Sequence, residues 1–450
     1  MTQTKTVLYE HCDTMDIVLV FSKPFDLSKS QTCPPLGICY LASVLEQSGC
    51  RVSIVDLSIT DNYSEAVSAI ASMNPVMVGF SCTTPGFPLA VQVAQQVKEK
   101  NPKTKIIFGG PFATFTYREI LSNYLHVDVV VRREGEQTLL ELAEYFVKGK
   151  NISLQSISGI AYRRNGLLMA TPERPFIKNL DVLPFPARHL LGDLKKYAMD
   201  PGVISSRGCP FGCAFCSSTV MWGKRTRFRS TNNVIDEIKT LAKDLSVKRF
   251  WFVDDTFTLD RKRALRLCSE LEEMKPRLTW GCGTRADMVD EELLQAMARA
   301  GCTVVQYGIE SSNSKTMKLL GKKISREEVE KKIDLAKNAG LDVYGSFIIG
   351  LPGETREMAE ETIEFAESLP LSDTQINLAI PFPGTMMREE LVSKCGAKIR
   401  HNNWEHYFQS YKEKSIIIDN PKLPIRSLLE LYLRGKMINL RKFGAFKNFG

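Results

Sequence analysis

Apolar and polar positions along this chain switch repeatedly between a two-residue and a 3.6-residue period, and the switching divides the sequence. MDIVLVFS reads as a strand, PLGICYLASVLEQSG as a helix closed by Gly49, CRVSIVDL as a second strand and YSEAVSAIASMN as its helix. PVMVGFSCTT, FPLAVQVAQQVKEKN and KTKIIFGG continue as strand, helix and strand. VDVVVRREGE is a further strand leading into the helix EQTLLELAEYFVKG. This alternation over residues 1–156 predicts an α/β, doubly wound, flavodoxin- or Rossmann-like domain with a parallel sheet. Ligands of such sheets bind at the carboxyl ends of the strands, here the loops Ser22–Gly37, Ser81–Pro88, Gly109–Phe115 and Arg132–Gln137. Residues 157–200 carry short strands and the Pro-rich run Leu183-Pro184-Phe185-Pro186, and read as a linker.

A second alternating series occupies residues 201–385. Its strands are VISSRG, RFWFVDD, TWGCGTRAD, TVVQYGIES, DVYGSFIIG and TQINLAIPF, with helical patterns between them. Six such units predict a partial (β/α)6 barrel of the TIM type, whose chemistry belongs at the C-terminal mouth of the strands. Residues 386–450 leave the alternation and read as a helical segment. There RSLLELYLRGKMINLRKFGAF sets Leu428, Leu429, Tyr432, Leu433, Met437 and Leu440 at helical spacing with basic residues between. Such a stripe predicts a terminal helix docked on its own domain; the other use of it is a peripheral contact with a membrane or a lipid substrate.

The 450 residues suit two domains and an appendage. Neither an apolar run of about 18 residues nor a secretory leader pattern is present. Twelve cysteines then point to a reducing cytoplasm, where thiols hold metal or lie buried. Of the net charge of +8, residues 426–450 contribute five, so the body lacks the broad basic face of a nucleic-acid binder.

The densest chemistry lies in GCPFGCAFC, directly after the first barrel strand. Cys209, Cys213 and Cys216 offer three of the four ligands of a [4Fe–4S] cluster and leave one iron open to bind and activate a small molecule. A zinc knuckle is the alternative, but zinc favours paired CxxC or Cys/His ligands, and His189 is the nearest histidine on the upstream side. A solvent-open cluster is oxygen-sensitive, which predicts an anaerobic or microaerobic host. Cys268, Cys282, Cys302 and Cys395 have no mutual ligand spacing and read as buried or incidental, while Cys12, Cys33, Cys39, Cys50 and Cys82 are scattered.

The CxxxCxxC loop at the mouth of a barrel, from Pro201 to Thr385, resembles the radical S-adenosylmethionine (radical SAM) enzymes. The resemblance implies that Cys209, Cys213 and Cys216 hold the cluster, that SAM fills the open iron, and that Phe215 packs near the adenine. Motifs at later strand ends fall in order: Asp254 and Asp255 in FVDDTFT, Arg285 in TRAD, Glu310 in GIES, and Gly350, Leu351, Pro352 and Gly353 in GSFIIGLPGET. Asp254, Arg285, Glu310, Gly350, Leu351 and Pro352 are the implied cofactor contacts. Asp255 also suits a helix N-cap, and Arg285 a surface salt bridge.

The first domain resembles the cobalamin-binding domain fused to one branch of that family. PPLGICYLASVLEQSG, VGFSCTT, GGPFAT and EGEQTLLEL carry the likeness, and Pro35, Leu36, Gly37, Glu134, Gly135 and Glu136 fall within them. Ser81, Thr83 and Thr84, with Gly109 and Gly110, suit loops over which a flat macrocycle lies. No DxHxxG motif occurs, which implies cobalt without a histidine ligand from the first loop. Phe112 and Arg133, where many relatives have histidine and glycine, are expected to crowd the nucleotide-tail site.

The combined resemblance implies a methyltransferase acting on an unactivated carbon through a 5′-deoxyadenosyl radical and methylcobalamin, with an electron donor such as flavodoxin or ferredoxin. Three other readings stay open. One is a ring-forming oxidative cyclase or lipid-modifying enzyme with the same radical step. Another is a methylthiotransferase, which would carry a second N-terminal cysteine trio and a terminal β-barrel. The last is a corrinoid carrier or sensor with an inert barrel.

Overall fold

Strands covered by helices on both faces must be apolar on both faces, and the first sheet is built of them. The computed structural model describes residues 15–23 and 32–443. These fall into two units, one running to Ile177 and including Leu183–Tyr197, the other comprising Lys178–Val182 and the chain from Ala198.

In the first unit β1 (Ile17–Ser22), β2 (Val52–Asp56), β3 (Met77–Cys82), β4 (Lys105–Gly109) and β5 (Val129–Val131) alternate with α1 (Leu36–Gln47), α2 (Tyr63–Ser72), α3 (Phe87–Lys100), α4 (Gly110–Asn123) and α5 (Glu136–Phe146). The parallel order β2-β1-β3-β4-β5 places a topological switch between β1 and β3. Strands β1 and β3 are buried along nearly their whole length.

The stretch that reads as a linker contains regular structure. Residues 160–170 form a hairpin, β6 (Ile160–Arg164) and β7 (Leu167–Ala170), added antiparallel to β5. Asn165 and Gly166 both take positive φ at its turn, as a two-residue hairpin loop requires. The Pro-rich stretch returns to the same unit, where Ala187 N–H donates to Cys39 O and Tyr197 Oη donates to Asp56 Oδ2 at 2.8 Å. The strand VDVVVRREGE is shorter than its pattern, because Arg133 adopts φ +62° and ends it.

The second unit holds β8 (Gly202–Val203), β9 (Ser206–Arg207), α6 (Ser218–Trp222), β10 (Arg227–Phe228), α7 (Thr231–Asp244), β11 (Arg249–Phe252), α8 (Arg261–Glu273), β12 (Thr279–Thr284) and α9 (Glu291–Arg299). It continues through β13 (Cys302–Glu310), α10 (Ser314–Leu320), α11 (Arg326–Asn338), β14 (Asp342–Ile349), α12 (Arg356–Ser368) and β15 (Asp373–Leu378). Six parallel strands in the order β8-β11-β12-β13-β14-β15 form the partial barrel. The expected single strand VISSRG is split. Only Gly202 and Val203 join the sheet, while Ser206 and Arg207 pair with β10. Helices start where a side chain accepts the free backbone N–H groups: Ser230 for α7, Asp260 for α8, Asp290 for α9, Ser325 for α11 and Thr355 for α12.

The terminal segment is less helical than expected. After α13 (Val392–Lys394) come the paired β16 (Lys398–Ile399) and β17 (Ile418–Asp419), and only then α14 (Ile425–Lys436) and α15 (Ile438–Phe443). α14 buries Leu428, Leu431 and Tyr432 in the barrel core and sets Gly435 so close to Ile376 that a Cβ there would lie 2.6 Å away. Its basic residues serve the fold. Arg434 and Arg441 both pair with Glu367 of α12, and Lys442 donates to Leu369 O at 2.7 Å. The helix is docked, and among the described residues no helix is long and apolar enough to cross a membrane.

Candidate functional site

The cysteine loop starts at a position only glycine fills. Gly208 has φ +98°, and a Cβ would stand 2.8 Å from Arg225 O. Its carbonyl accepts from Thr226 Oγ1 at 3.0 Å, and its N–H goes to Asp255. Ala214, fully buried, is gripped from two sides: its N–H donates to Leu320 O and its carbonyl accepts from Met387 N–H at 2.8 Å. Cys209, Cys213 and Cys216 are left partly exposed around this clamp. Burial pushes the Cys213 and Cys216 thiols up, and negative charge on Cys216 adds to the rise at Cys213, as that on Cys209 does at Cys216. The cations Lys322 and then Arg285 act in the opposite sense on Cys213. Ser218 N–H points at Cys216 Sγ from 3.4 Å, the kind of contact that adjusts a cluster's potential. No three His, Cys, Asp or Glu side chains among the described residues converge as they would on one ion. Ligands of a cube do not need to converge, because each holds a different iron.

Arg285 leaves the end of β12 with its guanidinium carbon over the Phe211 ring of this loop, 3.9 Å from the centroid. Asp287 holds its Nε and Nη2 in a two-pronged pair at 2.9 and 2.7 Å. The third nitrogen, Nη1, is buried without a hydrogen-bond partner. Arg285 is thus no plain surface ion pair; it carries an unspent donor beside the thiols.

Glu310 ends β13 at a bulge, in the left-handed region with φ +70°. Its buried carboxylate accepts from Lys322 Nζ at 2.7 Å, and Lys322 also donates to Gly308 O. A Cβ on Gly308 would sit 2.6 Å from Glu310 Oε1. Lys322 was not singled out from sequence because it belongs to no motif. Only its place after the tight turn at Gly321, which abuts Gly212 of the cysteine loop, gives it a role.

The two members of the acidic pair after β11 make different contacts. Asp254 turns inward, accepting Ser205 N–H and Ser206 N–H at 2.7 Å and the Ser205 hydroxyl. It anchors the start of the barrel, and burial pushes its carboxyl up despite Arg263. Asp255 caps no helix, since Asp260 caps α8; it accepts instead from Ser218 Oγ and from Gly208. The GLPG turn is similarly occupied. Leu351 and Pro352 are buried, and the N–H groups of Gly350 and Leu351 donate to Glu354 Oε2 at 2.6 and 3.1 Å. Phe215 packs half-buried on the apolar cluster of Leu320, Leu351, Met387 and Val392.

In the first unit, Ser81 is partly exposed and Thr83 exposed at the carboxyl end of β3, while Thr84 is buried. Gly109 and Gly110 leave bare backbone at the end of β4. Gly110 has φ +89°, and a Cβ there would lie 3.0 Å from Cys82 O. Thr114 Oγ1 donates to Gly110 O and accepts Arg133 N–H, tying this loop to the one before α5. Pro35 is buried at the start of α1, with Leu36 and Gly37 more open. Glu134 and Glu136 are buried. Glu134 accepts Ile177 N–H, and Gly135 allows α5 to approach Leu41 of α1. Phe112 is buried against Phe87, and Arg133 pairs with Glu173 and lies over the Phe176 ring. Residues 24–31 of the first ligand loop, and Cys12, lie outside the described residues.

Residues 203–366 match the model of the radical SAM superfamily, and residues 27–143 that of the B12 binding domain. An uncharacterized methyltransferase of Pyrococcus horikoshii, PH0819, is 35% identical over 420 residues, covering 90% of this chain and 89% of its own. The chain belongs to the B12-binding branch of the radical SAM superfamily. This radical SAM protein is an enzyme that uses a [4Fe–4S] cluster, SAM and cobalamin. It is 31% identical to the anaerobic magnesium-protoporphyrin IX monomethyl ester cyclase of Rubrivivax gelatinosus, covering 83% of this chain and 68% of the cyclase. Its fold resembles that of the radical SAM methyltransferase TsrM from Kitasatospora setae, solved with cobalamin and a [4Fe–4S] cluster. There the TM-score is 0.76 at 18% identity, over 93% of this chain and 90% of the other.

Proposed function

We propose that this radical SAM protein is a C-methyltransferase acting on an unactivated carbon of a small molecule. The observation that carries the reading is the juxtaposition at the barrel mouth of three partly exposed thiols with a buried, unpartnered guanidinium nitrogen on Arg285. A buried donor without an acceptor costs about 1–3 kcal/mol, so Arg285 Nη1 fits a site whose acceptor arrives with a ligand. Cys209, Cys213 and Cys216 would hold the cluster. Arg285 Nη1 would donate to the carboxylate of SAM, and Phe215 would flank its adenine. Glu310, held at its bulge by Lys322, would accept from the ligand's hydroxyls. Asp254 and the Gly350–Pro352 turn support this rim by fixing the backbone beneath it.

The bare backbone of Gly109 and Gly110, with Ser81, Thr83 and Thr84, would receive the corrin, and the loops at Pro35–Gly37 and Glu134–Glu136 would border it. When bound, the cluster and SAM supply hydrogen-atom abstraction, and methylcobalamin supplies the methyl group. The chain's own contribution is positional: Cys213 and Arg285 fix where the sulfonium nucleoside sits, and the barrel wall decides which C–H bond it meets.

A reducing cytoplasmic setting and a flavodoxin- or ferredoxin-type electron donor complete the reading. The 31% identity to a cyclase favours one rival, ring formation without methyl transfer. Anaerobic incubation of the reconstituted protein with SAM, reductant and substrate separates them. Methyl transfer gives S-adenosylhomocysteine as well as 5′-deoxyadenosine, whereas cyclisation gives 5′-deoxyadenosine alone.

A further inference from the structure

The end of α10 is closed by its own sequence in a way that fixes the residue after it. Gly321 takes φ +77°, its N–H donates to Lys318 O, and Lys322 N–H donates to Met317 O. These are the paired bonds that stop a helix at a left-handed glycine. The turn lies along the cysteine loop. Leu320 O accepts Ala214 N–H at 3.2 Å, and a Cβ on Gly321 would stand 3.4 Å from Gly212 O. Contacts on both sides of Cys213 thus set the turn, and Lys322 with it, beside that thiol. Lys322 is 6% exposed. Two of its three ammonium hydrogens go to Gly308 O and Glu310 Oε1, and the third has no acceptor among the described residues.

A buried ion pair adds little to stability over well-packed apolar residues of similar volume, so folding alone is a weak reason for a lysine here. Its charge has a second object. Burial raises the Cys213 thiol; against that rise Lys322 acts more strongly than Arg285, and the opposing push of Glu310 is weaker than either. The pair therefore turns a net positive field on Cys213. Reduction adds one negative charge to a cluster, and a fixed cation in a buried, poorly screened site favours the reduced form. We propose that Lys322, besides positioning Glu310, sets the reduction potential of the cluster held by Cys209, Cys213 and Cys216, its buried ammonium favouring the reduced state. The proposal deepens the enzymatic reading above and rests on it.

Redox titration of the full-length reconstituted protein, followed by EPR without SAM and with iron and sulfide measured on each sample, tests it. Lys322→Met/Glu310→Gln removes both charges and strands neither. At the native midpoint potential its ratio of reduced to oxidised cluster is expected to fall about threefold or more. Glu310→Gln alone removes the opposing charge and should raise the ratio, while Lys322→Arg keeps the cation and should stay close to native. An unchanged or raised ratio in the double variant, or a Lys322→Arg shift as large as that of the double variant, would overturn the proposal. Should the double variant take up no cluster, Glu310→Gln decides: a raised ratio supports the proposal, and an unchanged or lowered one overturns it. The two readings fail separately. The expected shifts in a protein that forms no 5′-deoxyadenosine defeat the enzymatic reading alone, and SAM cleavage with unmoved potentials defeats the role of Lys322 alone.

Discussion

Lys322 Nζ lies 2.7 Å from Glu310 Oε1, and both side chains are more than nine-tenths buried beside the cysteine loop. Glu310 reaches this place only by adopting a left-handed backbone at the bulge, a conformation that costs an ordinary residue about 1–2 kcal/mol. The pair therefore presents a fixed carboxylate at the barrel mouth and sets a cation near Cys213.

Removing one partner strands the other. Lys322→Met is expected to lower unfolding stability by about 3–5 kcal/mol. The double variant Lys322→Met/Glu310→Gln should recover most of that loss yet bind SAM more weakly than the native protein. Chemical denaturation read beside SAM titration checks both. An unchanged denaturation midpoint in Lys322→Met contradicts the buried-pair account.

The Arg285 guanidinium lies over the Phe211 ring while pairing two-pronged with Asp287. Lysine keeps the charge and loses both geometries. Arg285→Lys is expected to raise the SAM dissociation constant about tenfold or more with little change in melting temperature. A variant that melts early but binds SAM normally would assign Arg285 to structure alone.

Much of this was legible because period and spacing are strong local signals. The alternating runs place ten of the parallel strands, and the three cysteines announce themselves at the first barrel strand. What sequence hid was direction. Asp254 and Asp255 are neighbours in the chain, but strand pleating sends the first inward to Ser205 and leaves the second toward Ser218 and Gly208. Cys268, Cys282 and Cys302 lack ligand spacing, yet the fold gathers them as buried thiols in one core. The short strands of residues 157–200 were legible, but their pairing as the β6–β7 hairpin was carried by Asn165-Gly166, a strong signal for a two-residue turn. Lys322 gave no signal, because its partner is reached only across a loop.

Glu354 offers a prediction in pH. It is almost wholly buried, and burial pushes its carboxyl up to about 8 although Gly350 and Leu351 donate to it. The unfolded chain ionises it near the ordinary glutamate value of about 4.3. Between these values the unfolded state binds fewer protons than the native state, so stability is greatest below the unfolded pKa and falls as pH rises toward 8. Glu354→Gln is expected to remove that decline, gaining on the native protein from pH 5 to pH 8. Parallel slopes for the two proteins in pH-dependent denaturation contradict the assignment.

The account turns on the cysteine trio, and spectroscopy of anaerobically reconstituted protein tests it most directly. Mössbauer and EPR spectra should show a [4Fe–4S] cluster whose reduced signal changes when SAM is added. Cys213→Ala should lose that cluster and 5′-deoxyadenosine formation while still taking up hydroxocobalamin. Tetrahedral zinc without inorganic sulfide, or a cluster signal that SAM leaves unaltered, would contradict it.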